Sequence, residues 1–537
     1  MTRLPALAAL AAGTALAGCS LAPTYVRPAA PVPTSWPAGD AYLRQSEARL
    51  PSVTYRDIFR DPRLQAIIDQ ALANNRDLRV AVANIEATRA QYRIQRADLF
   101  PQVNATGAYS YRDSGSSGVV TGTDSGGTGT GGTGTGTGAG GTGTGTGGTG
   151  TGTGGTGTGT GVTTVSSARS TFQAQLGVTA FEIDLFGRVR SLTSAALSRY
   201  FAQEAAARAT RLTLVGDIAN AWLAYAADRS LLAVAQQTAE AARASVKLTD
   251  ARLRGGVAPR TDLRQAQQIL ATAEADLAQQ TTLLAQDVNA LQLLVGAPVD
   301  PALLPGSIEQ AAATIGELPA GIDSGVLLRR PDVVQAEYAL RAYNAEIGAA
   351  RAELFPRISL TGLVGFASTA LRTLFNSGSF NYSVAPNASY PIFRAGAGRA
   401  GVAFSVAQRD AALASYEQTI QTAFQEVSDA LARRGTITEQ LAANRRFFEA
   451  AQDTLNLTNA RYRGGIDTFL SSLDAQRQLY SAQQILVQTQ LTRATNLVTL
   501  YRTLGGDSLL DATPQGPLTA TGGEPDAAGV RAPAAAR

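Results

Sequence analysis

The strongest constraint on this chain is that most of it is written twice. Arg96-Ala97-Asp98-Leu99-Phe100-Pro101-Gln102-Val103 returns as Arg351-Ala352-Glu353-Leu354-Phe355-Pro356-Arg357-Ile358. Arg252-Leu253-Arg254-Gly255-Gly256-Val257 returns as Arg461-Tyr462-Arg463-Gly464-Gly465-Ile466. Ala266-Gln267 returns as Ala475-Gln476, and Leu294-Val295-Gly296 as Thr503-Leu504-Gly505. The last three matches share one spacing. The first is wider by about the length of a glycine-rich tract, so the tract is an insertion into one copy of a duplicated unit.

Each Phe-Pro is followed by an alternating segment. Val103, Ala105, Gly107, Tyr109 and Tyr111 alternate with Gln102, Asn104, Thr106, Ala108 and Ser110. Phe172, Ala174, Leu176, Val178 and Ala180 do the same within Thr171 to Phe181. The second copy offers Ile358, Leu360, Gly362, Val364 and Phe366, then Phe380, Tyr382, Val384, Pro386, Ala388 and Tyr390. A period of two marks β-strands, and about 10 residues is the length of a tilted membrane strand. Aromatic residues gather near the ends, as interfacial girdles do. Amphipathic hairpins on a soluble core would alternate too. Four strands of equal length between long helices, in a chain with a lipidation signal, favour the membrane. Pro386 suits only an edge strand or a bulge.

The remainder reads as helix. Arg188 to about Arg254 contains no proline, and Leu212, Val215, Ile218, Trp222 and Tyr225 recur at three- and four-residue steps. At 1.5 Å per residue such a helix is about 100 Å long. Thr261 to Val295 returns beside it, and Gly398 to about Arg461 with Thr468 to Leu504 repeats the pair. Shorter helices are predicted near Pro62 to Leu99 and Pro331 to Leu354. Rods of this length suit coiled-coil packing, with alanines allowing close approach. The Gly/Thr tract, about Ser114 to Gly161, has nothing to bury and reads as a flexible loop. It lacks the Gly-Lys-Ser/Thr of a phosphate-binding loop.

The amino terminus carries Arg3, an apolar run from Leu4 to Ala17, and then Leu16-Ala17-Gly18-Cys19, the pattern of a bacterial lipobox. Cys19 is the only cysteine, and it stands where lipidation requires it. Ser20 replaces the aspartate of an inner-membrane retention signal. The chain has no histidine and one methionine. That excludes histidine acid–base catalysis, Ser-His-Asp triads, histidine-ligated zinc and disulfides within the chain. No cofactor or metal site is expected, and no motif marks an enzyme. Net charge is +4, from 46 basic against 42 acidic residues, with no basic block for nucleic acid. No other stretch is apolar enough for a membrane helix, so a membrane crossing would use the strands.

Four strands have two open edges, which lipid cannot satisfy. A closed barrel needs about eight strands or more. Several chains would have to share one, and three would contribute twelve strands. The polar stripe implies a wet lumen.

With the Pro-rich Pro23-Thr24-Tyr25-Val26-Arg27-Pro28 and the Arg-Tyr-Arg-Gly-Gly…Leu-Asp-Ala-Gln motif, the chain resembles the outer membrane factors of tripartite RND-type efflux systems, in the OprM/NodT lipoprotein branch of the TolC-like family. The resemblance covers about residues 19 to 507. It implies a mainly α protein with a transmembrane β-barrel: a homotrimer with a 12-stranded barrel continued by a periplasmic α-helical coiled-coil barrel. It implies a lipid-anchored place in the outer membrane, and partnership with a periplasmic adaptor and an inner-membrane RND-type pump. The organisation that follows is a signal peptide (1–18), an extended equatorial segment (19–61), a first repeat (62–300) and an inter-repeat equatorial linker (301–330). A second repeat (331–506) and a disordered tail (507–537) complete it. Strands are expected near 102–112, 170–181, 357–367 and 379–390, long hairpins near 188–295 and 398–504, and an extracellular insertion at 114–161.

A periplasmic tunnel must close, and closure belongs where the long helices turn back, at Gly255-Gly256 and Gly464-Gly465. The resemblance implies a gate at Leu470 and Asp474, with Tyr462 in the restraining contacts. Asp474 would then form a ring of three carboxylates favouring cations. A plain surface charge at Asp474 and a packing role for Leu470 stand as the alternative. Arg252, Arg254, Arg461 and Arg463 flank the turns, either as contacts to neighbouring helices and the adaptor or as a solvated basic rim. The expected function is a passive, gated exit duct for small molecules. Type I protein secretion, metal efflux and a lipid-anchored coiled-coil adhesin are the competing readings.

Overall fold

A computed structural model describes residues 20–37, 54–112, 169–317, 323–510, 512–513 and 516–517. Cys19, the Gly/Thr insertion and the chain beyond 517 lie outside the described residues, and so do the expectations attached to them.

After a single turn at Tyr55–Ile58, α1 runs Pro62–Asn74 and α2 Arg76–Ala97. The sequence reading made these one helix. Asn75 divides them: its ψ is 136°, its side-chain oxygen caps Leu78 N–H at 2.8 Å, and its amide donates to Leu294 O at 2.7 Å. A short polar side chain that serves a cap competes with helix continuation. Next come β1 (Val103–Arg112), β2 (Arg169–Glu182), α3 (Arg188–Arg254) and α4 (Arg260–Val295). The short α5 (Ile308–Ala313) precedes the second copy: α6 (Pro331–Ala352), β3 (Arg357–Ser368), β4 (Phe380–Ser389), α7 (Ala397–Arg463) and α8 (Phe469–Thr503). The duplication is reproduced closely, since α3 and α7 are both 67 residues long. No described helix is long and apolar enough to cross a membrane.

The described residues fall into two compact units, and these are not the two repeats. The larger gathers the helices of both copies with the amino-terminal segment; the smaller, from 101–181 and 359–387, holds the strands. In the larger unit, Trp222, Tyr416, Tyr501 and Phe59 are fully buried in one core. Phe59 meets Tyr501 edge-on at 5.3 Å, and the Trp222 indole donates to Leu303 O at 3.1 Å. Buried indole N–H groups need such a partner. Helix α6 packs against both α3 and α7, whereas α2 rests on α3 and buries only Leu78 and Ala81.

The start of the tail corrects the expectation of disorder from 507. Asp507 pairs with Arg211 at 3.0 Å and accepts from the Tyr501 hydroxyl at 3.0 Å, and Leu510 N–H bonds Arg329 O. An Ala/Pro/Gly-rich composition hides specific partners that only the folded chain supplies.

In the smaller unit the strands are ordered β1-β2-β3-β4. The β1–β2 pair is antiparallel, with Val103 opposite Val178 and Tyr109 opposite Phe172. Those two rings lie 4.8 Å apart. Edge strands β1 and β4 are exposed almost throughout. Pro386 sits on β4, an edge, where a missing donor is tolerated.

Candidate functional site

The two hairpin turns are built alike. Gly256 N–H bonds Leu253 O at 2.9 Å and Val257 N–H bonds Arg252 O at 3.0 Å. Gly465 N–H bonds Tyr462 O at 3.1 Å and Ile466 N–H bonds Arg461 O at 2.9 Å. This paired 5→2 and 6→1 bonding satisfies the last carbonyls of each helix. Only the second glycine of each pair is left-handed, with φ of 76° at Gly256 and 74° at Gly465. Gly255 and Gly464 have φ near −77° and −76°, open to other residues.

Beyond the second turn, Thr468 caps α8 through Ser471 N–H. Phe469 and Leu473 then bury one face of α8 against Ala266 of the first hairpin. Leu470, 59% exposed, and Asp474 lie on the opposite, open face. They are four residues apart and so share that face. The structure therefore brings the two candidate gate residues together, outside the packing of their own chain.

Tyr462 lies beside them on the packed side. Its ring meets Phe469 at 5.5 Å, and the Arg252 guanidinium stands 4.9 Å from its centroid. A candidate docking arginine of the first hairpin thus grips a candidate restraint of the second. Arg461 is engaged as well, holding Asp467 through two bonds at 2.6 and 3.2 Å. Those hydrogen bonds keep the Asp467 carboxyl below the usual aspartate range. Arg254 pairs with Asp250 at 2.6 Å. Phe469 and Asp467 escaped the sequence reading, and Leu473 entered it only as the leucine of the Leu-Asp-Ala-Gln motif. Asp467, six residues after Arg461 across a glycine turn, carried the only available signal.

The segment after Cys19 is strapped antiparallel along α6. Arg351 donates to Leu21 O at 3.2 Å, Asn344 to Pro23 O at 2.8 Å, and the Tyr25 hydroxyl to Glu337 at 3.2 Å. At Gly348 a Cβ would stand 2.7 Å from Ala22. Glu337 is fully buried, paired with Arg27 at 2.6 Å and Arg341 at 3.2 Å. The strap ends with Trp36 stacked on Phe424 of α7 at 5.0 Å. Among the described residues no three acidic, cysteine or histidine side chains gather as metal ligands do.

The family model described as "Outer membrane efflux protein" matches residues 67–297 and 324–506, both copies of the repeat. The chain belongs to this outer membrane efflux protein family. The toluene efflux pump outer membrane protein TtgC of Pseudomonas putida is 43% identical over 493 residues, covering 91% of this chain and 93% of TtgC. A membrane protein from Pseudomonas aeruginosa has a similar fold, with a TM-score of 0.77 at 36% identity over 91% of this chain and all of that one. The open state of the Neisseria gonorrhoeae MtrE outer membrane channel follows at 0.73 and 33%, covering 91% and 99%. As an outer membrane efflux protein, the chain is mainly α with a membrane β-sheet, and its place is the outer membrane.

Proposed function

We propose that three copies of this chain form a gated exit duct, each lending four strands to one 12-stranded barrel. The carrying observation is the open sheet: β1 and β4 are edges of membrane-length strands, and lipid offers their backbone no partner. The duplication supplies the pattern of closure. Within the chain, β2 of the first copy precedes β3 of the second, and α3 of the first packs on α6 of the second. Repeating that step between protomers pairs β4 with β1 and sets α7 on the exposed α2 of the next copy. Val80 and Ile94, exposed on α2, would be covered there.

In this reading Leu470 and Asp474 face the axis and Tyr462, gripped by Arg252, restrains the closed end. The hairpin turns meet a periplasmic adaptor, which joins the duct to an inner-membrane pump. The duct performs no chemistry of its own. Cys19 carries the lipid: Leu21, two residues on, is held at the end of α6 by Arg351, close to where β3 begins. Small hydrophobic molecules, of the kind for which TtgC is named, are the proposed cargo.

Purified full-length protein should run as a trimer by native mass spectrometry and open conducting channels in planar bilayers. A monomer without conductance overturns the reading. Mass spectrometry of the mature amino terminus tests Cys19; an unmodified terminus elsewhere refutes lipidation there.

A further inference from the structure

Helices α2, α3, α6 and α7 pack in that order, with the first copy meeting the second between α3 and α6. Helices α2 and α6 are both 22 residues long, and α3 and α7 are both 67. The two copies therefore correspond end to end, Arg76 to Pro331 and Arg188 to Ala397. Each contact of α3 with α6 has a counterpart pair on α7 and α2, the outer members of the row.

The internal contact is made at three levels. Ala195 of α3 is buried in one cluster with Ala342 and Ala345 of α6. Phe201 packs with Val334 and Tyr338, its ring 5.2 Å from that of Tyr338. Just outside the helices, Phe186 before α3 stacks on Phe355 after α6, with centroids 4.8 Å apart and planes at 18°.

The counterparts are exposed in the single chain. Ala195 corresponds to Phe404, and its partners to Ala87 and Ala90. Phe404 is 63% exposed, and both alanines are exposed. A ring thus stands where the first copy has a methyl, and the surface opposite is two small residues that leave room for it. Phe201 corresponds to Asp410 and Val334 to Arg79, opposite charges that are both exposed. Within the chain Asp410 pairs with its neighbour Arg409 at 2.8 Å. The Leu185-Phe186 pair returns as Ile392-Phe393, two residues further from its helix, and Phe355 returns as Phe100. Phe393 is 87% exposed and Phe100 61%.

We propose that α7 of one copy docks on α2 of the next, with Phe404 seated on Ala87 and Ala90, Phe393 stacked on Phe100, and Asp410 paired with Arg79. The inference rests on the trimeric reading above and supplies the side chains that hold the copies together. Such a contact is head-to-tail, so it closes into a ring when the rotation between copies allows. It takes three exposed rings out of water at each seam, and offset or stacked rings add to that burial. The charge pair fixes the register, because sliding α7 by one turn leaves Asp410 and Arg79 unmatched. A ring in the place of Ala195 also holds α7 further from α2 than α3 stands from α6. The assembly is therefore three-fold, and the six helix pairs around it are not equivalent.

Photo-cross-linking of the full-length protein in detergent tests the seam. Benzoylphenylalanine at position 404 should yield species of twice the chain mass, with the cross-link mapped by mass spectrometry to residues 76–97. Phe404→Asp should abolish the trimer in native mass spectrometry while keeping the helical circular dichroism of the chain, since position 404 is exposed in one copy. Asp410→Arg should lower the trimer fraction, and adding Arg79→Asp should restore it. A parental trimer whose cross-links map away from 76–97, or a Phe404→Asp variant that stays trimeric, overturns the seam and leaves the trimeric reading standing. A double charge variant no better than Asp410→Arg alone overturns the ion pair. A parent that forms no trimer overturns both the seam and the trimeric reading. Should Phe404→Asp lose its helicity, the cross-link map decides.

Discussion

The guanidinium of Arg252 stands 4.9 Å above the ring of Tyr462, tying the last turn of α3 to the last turn of α7. This contact between the two copies lies one helical turn from each glycine pair. Any opening that separates the hairpin ends must break it. An exposed cation–π contact contributes about 0.5–1 kcal/mol, little enough to be broken by a docking partner.

Arg252→Ala and Tyr462→Ala should each raise the conductance of single channels in planar bilayers. Combined, they should have little more effect than either alone, because both remove the same contact. Fully additive effects would show that the two residues act separately.

Leu470 and Phe469 are neighbours with opposite expected consequences. Leu470→Ala should change melting temperature little, as exposed substitutions usually stay within about 0.5 kcal/mol, yet widen the channel and admit vancomycin-sized antibiotics. Phe469→Ala removes a buried ring and should cost about 3 kcal/mol. Asp474→Asn should lower cation preference and weaken block by trivalent cations. Parental conductance and selectivity in both Leu470→Ala and Asp474→Asn would make these residues ordinary parts of the helix surface.

The two glycines of each turn should separate cleanly. Gly256→Ala and Gly465→Ala force a side chain into left-handed backbone and should destabilise by about 1–2 kcal/mol. Gly255→Ala and Gly464→Ala should be near neutral. Thermal unfolding followed by circular dichroism at 222 nm measures all four.

The strap on α6 depends on a buried carboxylate. Arg27→Met leaves Glu337 with Arg341 and Tyr25 only, and should cost about 3 kcal/mol or more. Arg27→Met with Glu337→Leu should recover part of that loss, since it removes the stranded charge. Protease cleavage within residues 20–37 should accelerate in the single variant and slow again in the double one.

How far the sequence alone reaches follows the range of the forces involved. The strand alternation beginning at Val103, the helical steps from Leu212 to Tyr225 and the paired glycines at 255–256 and 464–465 are local patterns, set by backbone geometry within a few residues. They were legible, and the duplication made each legible twice. Leu470 and Asp474 also share a face for a local reason, their spacing of four. Only the tertiary structure decided which partners meet: Arg252 with Tyr462, and Arg27 with Glu337, more than 300 residues away along the chain. It also decided that Asn75 ends one helix by bonding Leu294, and that Asp507 is held by Arg211. Such contacts carry no periodicity. They arise when helices far apart in the sequence pack and remove water from between side chains, so the energy of each pair exists only once the fold has brought its members together.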